Sequence, residues 1–252
     1  MRQTTRDPVI FLLSMAGFVL FWAALAWAKA DPRVLPGPWE VMVEVADEAA
    51  SGALARHVGA TLLRVALAFA LAMSLGTALG LALGRWRRLD RWADPWVMIF
   101  LNLPALVVIV LCYLWIGLNE LAAVVAVTVN KTAMVLVTVR EGARTLDRAV
   151  AEMAQVYRLT PLARLRHVVL PQLAPYMAAS ARNGLAVIWK IVLVVEFLGR
   201  SDGVGFQIHL RFQLFDIPGV MAYALSFVAV MLVLDYGVIQ PWERRAGKWR
   251  GV

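Results

Sequence analysis

The stretch VGATLLRVALAFALAMSLGTALGLALG, residues 58–84, carries one charged side chain, Arg64, among 27 residues. As an α-helix it would be about 40 Å long, because a helix rises about 1.5 Å per residue. That length exceeds the roughly 30 Å hydrocarbon core of a lipid bilayer. The stretch therefore predicts a membrane-spanning helix.

The rest of the chain has the same character. Of its 252 residues, 61% are hydrophobic and 17% are charged, whereas ordinary soluble domains carry about 25% charged residues. The charges form short clusters between apolar runs, which is typical of a membrane protein and argues against a nucleic-acid partner. We predict an all-α polytopic membrane protein, with residues 1–252 as a single transmembrane domain in a lipid bilayer. Six apolar runs are long enough to span it, namely residues 9–28, 58–84, 95–117, 121–139, 174–198 and 217–240.

Basic residues predict the orientation of these spans. With a cytoplasmic N-terminus, the inner segments 1–8, 85–94, 140–173 and 241–252 hold 16 of the 25 Lys and Arg residues. Because cytoplasmic loops carry the excess of positive charge, both termini are expected in the cytoplasm. The first apolar run follows basic residues, as a signal peptide does, but its roughly 20 residues exceed the usual 7–15. We therefore expect a retained first helix.

One cytoplasmic segment, residues 140–173, is far longer than the other connections. Leu146, Val150, Met153 and Tyr157 recur at helical spacing. Thr160 and Pro161 are a suitable cap and first residue for a second short helix, which we expect to end at Leu170-Pro171. Such a helix pair is either a solvated amphipathic connector or a docking surface for a cytoplasmic partner.

This segment resembles the signature loop of the membrane subunits of binding-protein-dependent ABC importers. That signature reads Glu-Ala-Ala, three residues, Gly, nine residues, Ile, one residue and Leu-Pro. We name residues 140–173 the coupling loop, and its Met153 and Arg158 depart from the signature. Since Arg158 stands where the family has glycine, the turn there lacks glycine's freedom in φ, and the family's detailed docking geometry is not carried over to this loop. The positions that correspond to the signature are Glu152, Met153, Ala154, Arg158, Val168, Leu170 and Pro171.

The resemblance extends along the chain to the nitrate, sulfonate and taurine branch, as in Leu103-Pro104-Ala105 and Glu196-Phe197-Leu198-Gly199. It implies an inner-membrane permease without catalytic residues, whose coupling loop sits in a groove of an ATP-binding subunit. The sequence has no Gly-x-x-x-x-Gly-Lys-Ser/Thr loop, so ATP and Mg are expected on that partner. Further expected partners are an outer substrate-binding protein and a second permease copy, first of all an identical one. The solute would be a small anion such as a sulfonate or nitrate, or a small nitrogenous or sulfur metabolite.

Several residues inside the spans carry further predictions. Gly76, Gly80 and Gly84 lie on one helix face and indicate either close helix packing or a dimer seam. Lys131 and Lys190 lie in mid-span, where a charge is costly. They either pair with Glu120, Glu196 or Asp235, or line a pathway for an anion. The candidate pathway residues are Lys131, Arg182, Lys190 and Glu196.

Other classes of function remain as alternatives. A self-sufficient secondary transporter or channel would show repeated halves or a pair of broken helices, and the sequence indicates neither. An intramembrane enzyme would show clustered catalytic residues, and the sequence indicates no such cluster. The three histidines, His57, His167 and His209, are far apart in the sequence and predict no metal site.

Overall fold

The structure, a computed structural model, describes residues 8–239. Its helices, with no strand among these residues, confirm the all-α prediction. The ends of the chain, including the C-terminal segment 241–252 and the last residue of the sixth predicted span, lie outside the described residues. The helices are α1 (Pro8–Lys29), α2 (Pro38–Ala50), α3 (Ala53–Arg85), α4 (Arg87–Asn102), α5 (Ala105–Ile116), α6 (Glu120–Arg144), α7 (Arg148–Val156), α8 (Pro161–Arg164), α9 (Leu170–Gly199), α10 (Val204–Gln213) and α11 (Ile217–Leu234).

Four helical segments are long and apolar enough to cross a membrane: Leu12–Lys29, Ala53–Arg85, Glu120–Arg144 and Ile217–Gly237. A fifth span results if α4 and α5 are counted together. The 30-residue α9 is long enough, but it is not among these spans and carries Arg182, Lys190 and Glu196. Apolar spans are thus confirmed, although fewer segments meet both requirements than the six that the sequence predicts.

The third predicted span, residues 95–117, is not one straight helix. Its two parts, α4 and α5, are bent by 97° relative to each other. The break is at Leu103, which is extended (φ −67°, ψ 123°) and precedes Pro104. Proline has no backbone N–H and disfavours the helical conformation in the residue before it, so the continuous span was a wrong prediction.

The core lies where α3, α5, α6 and α9 meet. Small residues let α3 and α6 approach closely, because a Cβ at Gly80 would lie 2.6 Å from the Leu136 carbonyl oxygen. At Gly76 and Gly84 a Cβ would lie 2.5 Å from the Cβ atoms of Val135 and Ala143. The glycine stripe therefore faces α6 of the same chain.

Helix α1 contributes no described residue to this core. None of its described side chains is buried, and Trp22 ties it to the following connection by donating from Nε1 to the Pro36 carbonyl oxygen at 3.0 Å. Its apolar surface is left for lipid or for another chain.

The coupling loop lies at one end of the bundle, which we name the loop end; the opposite end, with α2 and α10, is the far end. The second short helix does not stop at Leu170-Pro171 as predicted. It continues from α8 through a wider π turn, Leu165–Val169, into α9. In that turn the Leu170 N–H donates to the Leu165 carbonyl oxygen, five residues back. Pro171 does not end the helix, because it follows this wider turn and lies in the first turn of α9, where proline is tolerated.

Candidate functional site

The coupling loop is built from two capped helices. Asp147 caps α7 by accepting the Ala149 N–H at 2.8 Å, and Thr160 caps α8 by accepting the Ala163 N–H at 3.3 Å. The Asp147 N–H donates to Gln172 Oε1 at 2.9 Å, which ties the loop to α9. The loop is therefore an ordered helix pair held against the bundle.

Arg158 forms the turn between the two helices in the left-handed conformation, with φ +50°. The N–H groups of Arg158 and Leu159 donate to the carbonyl oxygens of Gln155 (2.9 Å) and Ala154 (3.0 Å). These two bonds make a Schellman motif, in which glycine usually occupies the left-handed position. The turn thus takes the backbone that glycine favours, although an L-residue pays about 1–2 kcal/mol for it.

The side chains of the coupling loop divide into buried and exposed sets. Ala154, Val168 and Val169 are buried against the bundle, whereas Glu152 and Pro171 are exposed and Leu170 is half-buried. An exposed apolar surface remains on the outside of the helix pair. We name it the loop face, formed by Met153, Val156, Tyr157 and Leu162.

A buried ion-pair network lies near the far end and centres on Arg64 of α3. Its guanidinium donates to Glu196 Oε1 at 2.7 Å and to both Glu120 oxygens at 2.7 and 2.9 Å, and it also pairs with Asp202. Glu196 is fully buried and further accepts hydrogen bonds from Thr61 Oγ1 and the Gly205 N–H, each at 2.9 Å. The network joins α3, α6, α9 and the start of α10.

This network corrects the sequence-based pairing of Glu120 and Glu196 with the lysines. Lys131 is fully buried between α6 and α9, where its Nζ donates to Met134 Sδ at 2.8 Å. Its aliphatic part covers Gly184, since a Cβ there would lie 2.9 Å from Lys131 Cε. Lys190 is exposed on α9. Within residues 8–239, neither lysine has a carboxylate partner.

The four candidate pathway residues are therefore not in one place. Glu196 and Lys131 are buried within this chain, in the Arg64 network and between two helices, respectively. Arg182 and Lys190 are on the exposed side of α9, with Asn183 and Ala186 on the same side. The exposed residues alone could contact a solute without a rearrangement of the chain.

Two further ion clusters were not predicted. At the loop end, Arg140 donates to Asp90 (3.1 Å) and Asp94 (2.7 Å), and Arg144 also pairs with Asp90. A signal for this cluster was available, because two acids four residues apart in α4 match two arginines four residues apart in α6.

At the far end, Arg211 of α10 joins α2 and α11 by binding Glu44 at 2.7 Å, Asp216 at 2.5 Å and Glu48. Burial alone would lower the pKa of Arg211, but its hydrogen bond to Asp216 and the charges of Glu48 and Glu44 raise it above the ordinary value. Residues 8–239 contain no group of three or more His, Cys, Asp or Glu side chains placed to bind a metal ion.

Comparison with known proteins places this architecture in a family. Residues 38–238 match the family described as the binding-protein-dependent transport system inner membrane component. The chain is 30% identical to a protein named as an aliphatic sulfonates transport permease, SsuC of Escherichia coli K12, over 92% of this chain and 89% of that protein. It is also 30% identical to the riboflavin transport system permease RibX of Chloroflexus aurantiacus, over 96% and 89% of the two chains.

A solved structure of the MetNI methionine ABC transporter, in an inward-facing conformation, has the same fold. The TM-score is 0.67, with 18% identity over 79% of this chain and 98% of that one. The family match covers the core, the Arg64 network and the whole coupling loop. The chain therefore belongs to the inner membrane components of binding-protein-dependent transport systems and is a permease subunit of an ABC importer.

Proposed function

We propose that this permease is driven through the loop face by an ATP-binding subunit, which binds and hydrolyses ATP with Mg. The observation that carries the proposal is the exposure of that face. Val156, Tyr157 and Leu162 are each about three-quarters exposed on an ordered, capped helix pair. Exposed apolar surface of this kind marks a protein or membrane interaction site, and the resemblance of this segment to the family's signature loop favours a protein.

The loop can also transmit motion. Helix α8 continues through the π turn into α9, so a displacement of the loop face is passed to a 30-residue helix that crosses the core. Glu152, exposed beside the loop face, is available to pair with a cation of the ATP-binding subunit. Closure of two such subunits would then tilt α9 between inward-open and outward-open arrangements.

The test is co-purification of the tagged chain with the ATP-binding subunit encoded nearest to it. Leu162→Asp and Glu152→Arg are expected to lose the ATPase subunit. Leu214→Asp is the matched control, because Leu214 is a similarly exposed leucine at the far end. Retention of the ATPase subunit by the Leu162 and Glu152 variants would refute docking at the loop face.

The solute pathway is proposed to run along the exposed side of α9. Exposing Lys190 to lipid in mid-span is costly, and no carboxylate neutralises it within residues 8–239, so a water-filled pathway is its favourable environment. A cation there suits a small anionic solute. The similarity to SsuC, which is named as an aliphatic sulfonates permease, supports an anion of the sulfonate class. RibX supports a nitrogenous metabolite as the second candidate.

Uptake of a radiolabelled sulfonate by cells carrying the whole transporter tests this pathway. Lys190→Met is expected to reduce sulfonate uptake at least tenfold, whereas Lys190→Arg keeps the charge and most of the uptake. Variants are compared at equal amounts of assembled transporter, measured by ATPase co-purification. Full uptake by Lys190→Met would remove this residue from the pathway.

Assembly and orientation complete the proposal. Two copies of this chain are proposed to pair, since α1 and one side of α9 are left uncovered by the chain itself. The loop end, with Arg85, Arg87, Arg88 and Arg91, is proposed to face the cytoplasm, following the positive-inside rule. An outer substrate-binding protein would then deliver the solute at the far end.

A further inference from the structure

A cleft opens at the loop end between the end of α3, the start of α4 and the end of α6. Its volume is about 930 Å³. Its rim carries three arginines, Arg85, Arg87 and Arg91, and the lining also includes Leu83 and Ala143, which are themselves buried. We name it the arginine cleft.

The arginines of this rim have no acidic partner among the described residues. Arg85, Arg87 and Arg91 form no ion pair within residues 8–239, although they fall within seven consecutive positions. The carboxylate inside the cleft, Asp90, is already bound by two arginines of α6. Its charge therefore does not offset the rim, and the cleft attracts an anion.

The start of α4 adds to this attraction. Helix α4 has 16 residues, and no side chain caps its first turn, where Trp86 is the capping residue. Uncapped N–H groups and the positive end of a helix dipole favour a phosphate group. Arginine suits phosphate further, because its planar guanidinium donates two parallel hydrogen bonds.

The surroundings of the cleft point to a lipid as the source of that phosphate. Trp86 and Trp92 flank the rim and are 59% and 83% exposed. The cleft lies where the apolar α3 ends, at the level where tryptophan anchors a protein to the headgroup region. A cationic rim at that level faces the phosphate groups of the bilayer surface, so a phospholipid is the nearest source of phosphate.

We propose that the arginine cleft binds the phosphate headgroup of an anionic phospholipid. Binding in the arginine cleft would hold the ends of α3 and α6 together. This happens beside the coupling loop, since Leu146 of the loop also borders the cleft. The negative phosphate attracts the rim arginines of α3 and α4 and so stabilises the loop end of the bundle.

The test uses the transporter purified with its ATP-binding subunit, delipidated in neutral detergent. It is titrated with phosphatidylglycerol carrying a fluorescent acyl chain, followed by energy transfer from tryptophan. Phosphatidylcholine with the same chain is the lipid control. We expect saturable binding of phosphatidylglycerol, weakened about fivefold for each rim arginine removed and thus about 25-fold in Arg85→Gln/Arg91→Gln. The matched control is Arg166→Gln, an exposed arginine of the loop end outside the cleft.

Each other outcome overturns the proposal. Equal affinity for the two lipids, or equal weakening by Arg166→Gln, would show that the cleft is not the site. Full competition by inorganic phosphate at concentrations similar to those of the lipid would assign the cleft to a free anion. If the double variant lost the ATPase subunit while keeping its lipid affinity, the cleft would belong to the protein interface. Co-elution of the subunits and an unchanged melting temperature establish that each variant is folded.

Discussion

Removal of Arg64 gives the sharpest test of the buried network. In Arg64→Met, Glu196 stays fully buried and loses its 2.7 Å ion pair, keeping hydrogen bonds from Thr61 and the Gly205 N–H. Breaking a buried ion pair on one side costs about 3–5 kcal/mol, because the remaining charge is uncompensated. In a chain of this size about 1 kcal/mol shifts the melting temperature by about 2–4 °C, so a fall of about 6–20 °C is expected.

The assay is thermal unfolding of the detergent-purified transporter, followed by loss of the monodisperse peak in size-exclusion chromatography. Arg64→Met/Glu196→Gln is expected to recover at least half of the lost melting temperature, because the glutamine is neutral and still accepts the Gly205 N–H. Arg56→Met is the control, an exposed arginine of the same helix that forms no ion pair within residues 8–239. A fall no larger than that of Arg56→Met, or a double variant no better than the single one, would refute the reasoning.

Three further substitutions test packing, backbone strain and burial by the same melting assay. Gly80→Ala is expected to lower the free energy of unfolding by about 1–3 kcal/mol, because its Cβ would lie 2.6 Å from a backbone oxygen of α6. Gly59→Ala is the control and should not lower it, because a Cβ there meets nothing within 4 Å. An equal fall in melting temperature in both variants would contradict close packing. Arg158→Gly is expected to raise the free energy of unfolding by about 1 kcal/mol and to keep the ATPase subunit bound, since glycine adopts φ +50° without strain. A lower melting temperature would show that arginine stabilises the turn. Lys131→Met should raise the melting temperature, because an apolar side chain of similar shape replaces a buried amino group without a carboxylate partner in residues 8–239; a fall would mean that the folded chain stabilises the amino group.

Local patterns predicted the coupling loop in some detail. Thr160 and Pro161 begin a helix as expected, because capping depends on a few neighbouring residues. The end of that helix was predicted wrongly at Leu170-Pro171. A proline need not end a helix when the helical turn before it widens, as the π turn at Leu165–Val169 does. Val168 and Val169 in that turn are buried against the bundle. This burial depends on tertiary packing and cannot be read from the sequence.

The partners of the buried charges were beyond the reach of local patterns. Arg64 and Glu196 are 132 residues apart and meet at 2.7 Å, whereas the sequence offered Glu196 equally to Lys131 and Lys190. Which pair forms depends on the depth and rotation of α3 against α9. Those two quantities are decided by packing along each helix, so no short segment contains them.

The sequence by itself therefore determined the membrane environment, the all-helical class, the coupling loop and the family. Each of these depends on composition or on spacing within a few dozen residues, and hydrophobic burial in lipid follows composition directly. Only the tertiary structure decided the 97° bend between α4 and α5, the Arg64 network and the arginine cleft. These features arise where separate helices meet, and their geometry follows from which faces pack together, a property of the whole chain rather than of any one stretch.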